Sequence, residues 1–225
     1  MTSDSNIPIL AIDGPSGSGK GTVAIEISKR LNWHYLDSGA IYRVLAWLAG
    51  QNDVAYSDID GLVALARGME LDFTANGVCF AGQNIESEIR SEQAGNNASL
   101  VAFVPEVRQA LLDWQRAQAR APGLVADGRD MGTVVFPSAG VKIFLTASAE
   151  ARAKRRYNQL RLKGFDVNMR ALFGEIKARD ERDANRAASP LKPASDAISM
   201  DSTEMTIQQV VDSVLEFVEQ RYSAV

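Results

Sequence analysis

The sequence predicts an α/β fold, a parallel sheet flanked by helices with a small antiparallel β insert, and three observations carry that prediction. Short apolar runs of strand length recur between helical stretches, the pattern of a parallel sheet buried on both faces. A glycine-rich turn joins the first apolar run directly to a helix-forming segment. Between Gly61 and Pro105 the pattern changes to short alternating segments separated by turn residues.

Taken in order, Ile7-Pro8-Ile9-Leu10-Ala11-Ile12 is the first apolar run, with its strand over Ile9–Ile12. Gly14-Pro15-Ser16-Gly17-Ser18-Gly19-Lys20-Gly21-Thr22 follows, and Val23 to Leu31 continues as a helix with apolar residues at Val23, Ile25, Ile27 and Leu31. Strand, glycine-rich turn and helix are the context of a phosphate-binding P-loop. The glycines let the backbone curl so that N–H groups point inward. The helix start adds partial positive charge, and Lys20 reaches the β- and γ-phosphates. An ordinary glycine turn is the alternative, and the coincidence of loop, lysine and both flanks argues against it. One position departs from the usual loop. Gly21 stands where Ser or Thr commonly binds a metal, and Thr22 comes one residue later. No metal ligand is therefore assigned.

Four further strands are expected at His34–Leu36, Leu124–Ala126, Val141–Leu145 and Ala197–Met200. The strands at Ile9, His34 and Leu124 end beside Asp13-Gly14, Asp37-Ser38 and Asp127-Gly128-Arg129-Asp130. Ligands of open parallel sheets bind beyond the carboxyl ends of the strands, so these termini point at one site. In the insert, Met69–Thr74, a turn at Asn76-Gly77 and Val78–Ala81 read as a hairpin. Ala81-Gly82-Gln83-Asn84 reads as a second turn and Ile85–Ile89 as a third short strand. Thr206 and Gln209 have capping-box spacing ahead of the stripe Ile207, Val210, Val211, Val214 and Val218, which predicts a core-packing C-terminal helix.

Composition narrows the function classes. At 225 residues, 46% hydrophobic and 23% charged, the chain suits one globular domain, or a core with inserted subdomains. A net charge of −4 argues against a nucleic-acid-binding surface. The single cysteine, Cys79, excludes an internal disulfide and any multi-cysteine zinc site. Met1 to Asn6 shows no secretory pattern and no run reaches membrane-spanning length, so a cytoplasmic location is expected. The charge is uneven: Glu150 to Pro190 holds eight arginines and three lysines against six acids. That block suits a polyphosphate ligand held by guanidinium forks.

Three constellations carry candidate chemistry. Asp37-Ser38-Gly39-Ala40-Ile41-Tyr42-Arg43 puts Arg43 about one turn into a helix. Ala126 to Thr133 offers Arg129 and Asp130 at a strand end. Ile176 to Arg186 alternates charges at helical spacing, with Arg179, Arg182 or Asp183, and Arg186 roughly on one face. Alone, that last run reads as an ion-pair-laced surface helix, and an Arg-Asp pair at a strand end can be purely structural. His34 is the only histidine and reads as structural. The lack of a histidine base is informative, because a nucleoside monophosphate is already largely dianionic at neutral pH, its second pKa being about 6. It can attack a γ-phosphoryl group without one. Positioning and charge neutralisation by arginines then remain, which favours phosphoryl transfer between two nucleotides.

Ile-Asp-Gly-Pro-Ser-Gly-Ser-Gly-Lys-Gly-Thr, Leu-Asp-Ser-Gly-Ala-Ile-Tyr-Arg, Asp-Gly-Arg-Asp-Met-Gly-Thr-Val-Val-Phe-Pro and Arg-Asp-X-Arg-Asp-X-Asn-Arg stand here in the order found in bacterial cytidylate kinases, which the chain resembles over nearly its whole length. The first motif is shared with many kinases; the second and third are more specific. The resemblance implies a P-loop kinase core with a five-stranded parallel sheet (residues 1–62 and 106–225), a monophosphate-binding insert (63–105) and a mobile helical lid (about 152–186). It implies transfer of the γ-phosphoryl group of ATP, with Mg2+, to CMP and dCMP.

Under that resemblance Gly14 to Thr22 would bind ATP. Ser38, Arg108, Asp130 and Arg186 would read the cytosine; Ser99, Arg179 and Asp183 would hold the ribose; Arg43 and Arg129 would clamp the acceptor phosphate. Lys20, Arg43, Arg129 and Arg179 would stabilise the transfer, while Ala153 to Arg156 and Arg182 would close over ATP. A carboxylate such as Asp130 accepts from the amino group of cytosine and repels the carbonyl of uracil. A monomer with small-molecule substrates and neither nucleic-acid nor membrane partners is expected. Kinases for AMP, UMP or shikimate are the nearest alternatives, and acceptor screening separates them. A P-loop switch or motor ATPase is a further one, disfavoured by Gly21 and the lack of an Asn-Lys-X-Asp motif.

Overall fold

Five of the apolar runs form one parallel sheet in the computed structural model, which describes residues 7–74, 77–162, 164, 166–185 and 189–222. The strands are β1 (Ile9–Asp13), β2 (His34–Asp37), β6 (Leu124–Gly128), β7 (Val141–Thr146) and β8 (Ile198–Asp201), in the order β2-β6-β1-β7-β8. Central β1 runs parallel to β6, with Ile9 opposite Leu124, and to β7, with Leu10 opposite Val141. Each expected strand is present, extended or shifted by one or two residues at its ends. The chain divides into two compact units, one drawn from residues 1–35 and 119–225, the other from residues 36–118. The expected insert, 63–105, falls within the second, and the expected lid segment, 152–186, within the first.

In the first unit, helices α1 (Lys20–Leu31) and α9 (Ile207–Tyr222) cover one face of the sheet. Val23, Ala24 and Ile27 of α1 and Val210, Val211, Val214 and Val218 of α9 pack with Leu10, Ile12, Val125 and Ile143. A fully buried aliphatic side chain of this size contributes about 1.5–3 kcal/mol. Packing therefore anchors α1, and its N-terminus is left available for ligand chemistry. The capping box is realised reciprocally: Gln209 N–H donates to Thr206 Oγ1 at 3.2 Å and Thr206 N–H to Gln209 Oε1 at 2.9 Å. At the other end of α9, Tyr222 bonds both the N–H and the C=O of Ile9 at 3.0 Å. Helices α7 (Ala149–Leu162) and α8 (Met169–Ala184) pack on each other and complete this unit.

The second unit holds helices α2 (Ser38–Gln51), α3 (Ile59–Arg67), α4 (Glu86–Ile89), α5 (Glu92–Val101) and α6 (Pro105–Arg116), with α2 packed on α5 and α3 on α6. Asp37 caps α2 through Ala40 N–H at 2.9 Å, Asp58 caps α3 through Gly61 N–H, and Ser91 caps α5 through Ala94 N–H. Its antiparallel sheet is β3 (Leu71–Thr74), β4 (Gly77–Phe80) and β5 (Gln83–Asn84). Of the expected Asn76-Gly77 turn, Asn76 lies outside the described residues.

The third strand corrects the expectation. Ile85–Ile89 is not a strand; β5 is Gln83–Asn84, and Glu86–Ile89 is a helical turn. Ala81 (φ 47°) and Gly82 (φ 79°) close a two-residue hairpin turn, which places Gln83 opposite Phe80. Asn84 Oδ1 then accepts Glu86 N–H at 2.9 Å and starts the helix. Ile85 and Ile89, four residues apart, are both buried, a spacing that a helical turn allows as readily as an alternating strand.

Candidate active site

The P-loop leaves β1 through Gly14 and enters α1 through Gly19. A Cβ at Gly14 would lie 2.0 Å from the Leu145 carbonyl, so the loop can pass this close to the β7 backbone only with glycine. Gly19 sits at φ 94°, in the left-handed region, and the start of α1 carries no side-chain cap and no acidic residue in its first turn. Its leading N–H groups are thus presented to an anion. Ser18 Oγ is buried in this loop with no hydrogen-bond partner, and Lys20 Nζ, also buried, donates to the Pro15 carbonyl at 3.2 Å. A buried hydroxyl without a partner costs free energy unless a ligand satisfies it.

Carboxylates line the strand ends of the same unit. Asp13 accepts Met131 N–H and Gly132 N–H, each at 2.8 Å, and so fixes the wide π-type turn Met131–Val135 that follows Arg129 and Asp130. Burial pushes the Asp13 carboxyl up to about 6; the bonds from Gly132 and Met131 oppose this, nearby Asp130 adds to it and Lys20 lowers it. Asp127 accepts the Tyr35 hydroxyl at 3.1 Å. A Cβ on Gly21 would stand 3.0 Å from Asp127 Oδ2, a tight contact to which the carboxylate would have to yield by a few tenths of an ångström.

Two arginines of α7 bond the P-loop through its carbonyl oxygens. Arg152, 4% exposed, donates to Ser16 O at 2.9 Å and forms a two-pronged pair with Asp180 of α8, at 2.9 and 2.5 Å. Arg155 donates to Ser18 O at 3.1 Å and to the Ser202 carbonyl. On α8, Asp183 is fully buried and accepts from Arg129 Nε at 2.7 Å. Burial works against the charge on Arg129, but Asp183, then Asp127 and Asp13, outweigh it and hold the guanidinium above its ordinary range. The charge pattern of α8 alone reads as a solvated surface; instead its Asp180–Asp183 side is docked by Arg152 and Arg129. Arg179 lies one turn before Asp183 on the same helix, and Arg186 lies outside the described residues.

The second unit carries the other expected residues. Ser38 opens α2 and donates to Gln115 Oε1 of α6 at 2.9 Å. Arg43 Nη1 donates to the Ile89 and Ser91 carbonyls at 2.8 and 3.1 Å, at the junction of α4 and α5. Ser99 Oγ is buried on α5 without a hydrogen-bond partner. Arg108 lies over the Tyr42 ring, 5.6 Å from its centroid. Arg90 bridges Asp37 at 2.8 Å and Glu86 at 2.6 Å, tying α4 to the start of α2.

Within the first unit the structure brings together the P-loop with Arg152 and Arg155, Arg129 with Asp183, and Asp13 with the Asp130 turn. Within the second it places Ser38, Arg43, Ser99 and Arg108 on α2, α5 and α6. Gln115 was not singled out in the sequence and Asp180 was given no role of its own; Asp13 and Asp127 stood at the strand ends that pointed to the site, and Arg152 at the start of the expected lid, without individual roles. Gln115 had a signal: it continues the buried stripe of Val107 and Leu111 at four-residue spacing, where a polar side chain needs a partner. His34, expected to be structural, contacts the Ala121 carbonyl at 2.9 Å. Among the described residues no cluster of three or more His, Cys, Asp or Glu side chains could hold a metal, and no helix is long and apolar enough to cross a membrane.

Comparison with known proteins adds the chemistry. A family model described as cytidylate kinase matches residues 10–220. A protein named cytidylate kinase from Photobacterium profundum is 54% identical over 217 residues, covering 95% of each chain. One of that name from Pseudomonas aeruginosa (strain UCBPP-PA14) is 54% identical over 221 residues, covering 96% of each. In fold, the chain resembles an uncharacterized protein of Eubacterium ventriosum ATCC 27560 with a TM-score of 0.52 at 13% identity, over 95% of this chain and 99% of that one.

Proposed function

Because the chain belongs to the cytidylate kinase family, we infer that it transfers the γ-phosphoryl group of ATP to CMP, giving CDP and ADP. The observation that carries the donor half is the P-loop itself. Uncapped N–H groups at the start of α1, the buried Ser18 hydroxyl without a partner and the buried Lys20 ammonium fit a triphosphate. dCMP is the second acceptor.

The residues then take these roles. Gly14, Pro15, Ser16, Gly17, Ser18, Gly19, Lys20, Gly21 and Thr22 cradle the ATP phosphates. Lys20 neutralises charge on the transferring group, with Arg43, Arg129 and Arg179. Arg43 and Arg129 clamp the acceptor phosphate. Ser38, Arg108, Asp130 and Arg186 read the base; Ser99, Arg179 and Asp183 hold the ribose, and the buried, unpartnered Ser99 hydroxyl supports that role. The acceptor phosphate attacks as a dianion, so no side chain has to take a proton in the step.

Magnesium fits this site as a cation carried mainly by substrate phosphates, as it commonly is. Asp127, whose carboxylate lies against Gly21, would hold it, and a bound ion would supply further charge neutralisation. Residues 63–105 act as the acceptor-binding insert and residues 152–186 as the lid, whose closure keeps water from ATP. The enzyme works as a cytoplasmic monomer on the nucleotide pool.

Phosphorus NMR of ATP, Mg2+ and CMP with the purified protein tests the reaction directly. CDP and ADP signals should rise together in equal amounts. ADP appearing with inorganic phosphate while CMP stays unchanged would overturn the proposal.

A further inference from the structure

Ser38 and Gln115 form a hydrogen-bonded pair in the interior of the second unit, 4% and 2% exposed. The far end of the amide fixes its orientation. Gln115 Nε2 donates to the Leu111 carbonyl, one helical turn back, at 3.4 Å. A carbonyl can only accept, so the amide turns its NH2 toward Leu111 and its oxygen toward Ser38. An amide oxygen has no proton to give, which makes Ser38 the donor in their 2.9 Å bond. A hydroxyl has one proton and two lone pairs. With the proton committed to Gln115, Ser38 offers any further partner lone pairs only.

We propose that Gln115 is a positioning residue for base specificity: it locks Ser38 as an acceptor, which suits the amino group of cytosine and opposes the carbonyl that uracil carries at the same ring position. The inference rests on the reading that Ser38 contacts the base. Without Gln115 the hydroxyl can rotate and donate to a carbonyl as readily as it accepts from an amino group, and Ser38 no longer distinguishes the two. Asp130, an acceptor by charge, discriminates by a different route. Gln115 gives a neutral hydroxyl the same preference through hydrogen-bond direction.

The test is the ratio of kcat/KM for CMP to that for UMP in wild type, Gln115→Met, Gln115→Leu, Gln115→Glu and Ser38→Ala. This ratio does not depend on the folded fraction of a preparation. Methionine matches glutamine in length and has no oxygen; Gln115→Leu gives the same readout where methionine is not accommodated. Either apolar variant should lower the ratio about tenfold, the worth of one hydrogen bond. Gln115→Glu still accepts the Ser38 proton and should stay within about threefold of wild type. In a Ser38→Ala background, Gln115→Met should change the ratio no further. If the apolar variants slow both acceptors in step and leave the ratio intact while Ser38→Ala lowers it, Gln115 is merely structural and the inference fails alone. If Ser38→Ala also leaves the ratio intact, the base-reading role of Ser38 falls with it.

Discussion

Asp13 makes stability fall as pH rises, opposite to ordinary acid denaturation, and replacing it with asparagine should remove that dependence. Asp13 is 4% exposed, and its carboxyl is raised from 3.8 to about 6 by burial. Between those values the unfolded chain has released the proton while the folded protein still holds it. The folded state then binds more protons, so stability falls as pH rises, by about 1.36 kcal/mol per unit. Across the whole shift of roughly two units the loss is about 3 kcal/mol, complete above pH 6 to 7. Asparagine cannot ionise and removes this loss. It also puts an NH2 where one of the Met131 and Gly132 N–H donors needs an acceptor, a cost of about 1–3 kcal/mol that does not vary with pH. Urea denaturation of both proteins from pH 4 to pH 8 isolates the effect, because other carboxylates titrate in both and cancel in the difference. The deficit of Asp13→Asn should be largest near pH 4 and shrink by about 3 kcal/mol by pH 7. Parallel stability curves would refute the reasoning, and a deficit that grows with pH would reverse its sign.

Further substitutions test other links of the account. Lys20→Ala should lower kcat by orders of magnitude with an unchanged melting temperature; a near-normal rate in folded protein removes the P-loop assignment. Asp130→Ala should weaken CMP binding and blur its preference over UMP, read from KM for each acceptor, and unchanged discrimination would take Asp130 out of base reading. Asp180→Asn leaves Arg152 buried without its charge partner. The two side chains are 5% and 31% exposed, so solvent screening at Asp180 holds the expected destabilisation to about 2–3 kcal/mol, checked by chemical denaturation.

The sequence reading succeeded where a local pattern dictates local structure. Strand, glycine-rich turn and helix at Ile9–Leu31 are written in adjacent residues, and so is the capping box of Thr206 and Gln209. The third insert strand was misread because Ile85 and Ile89 suit alternation as well as helical spacing, and only the early turn at Ala81-Gly82 decides between them. Pairings between distant segments left no local mark. Asp13 reaches Met131 across 118 positions, Arg152 reaches Ser16 across 136, and Ser38 finds Gln115 across 77. The absence of Ser or Thr after Lys20 could be read, but the Asp127 carboxylate close beside Gly21 needed the fold.

The central claim, a phosphoryl transfer directed to cytosine nucleotides, is tested most directly by coupled ADP release with ATP and Mg2+ and a panel of CMP, dCMP, UMP, AMP, GMP and shikimate. The account expects strong turnover with CMP and dCMP and far weaker turnover with the rest. Preferred turnover of another acceptor would keep the kinase and discard the cytosine site, and ADP release without any acceptor would contradict transfer itself.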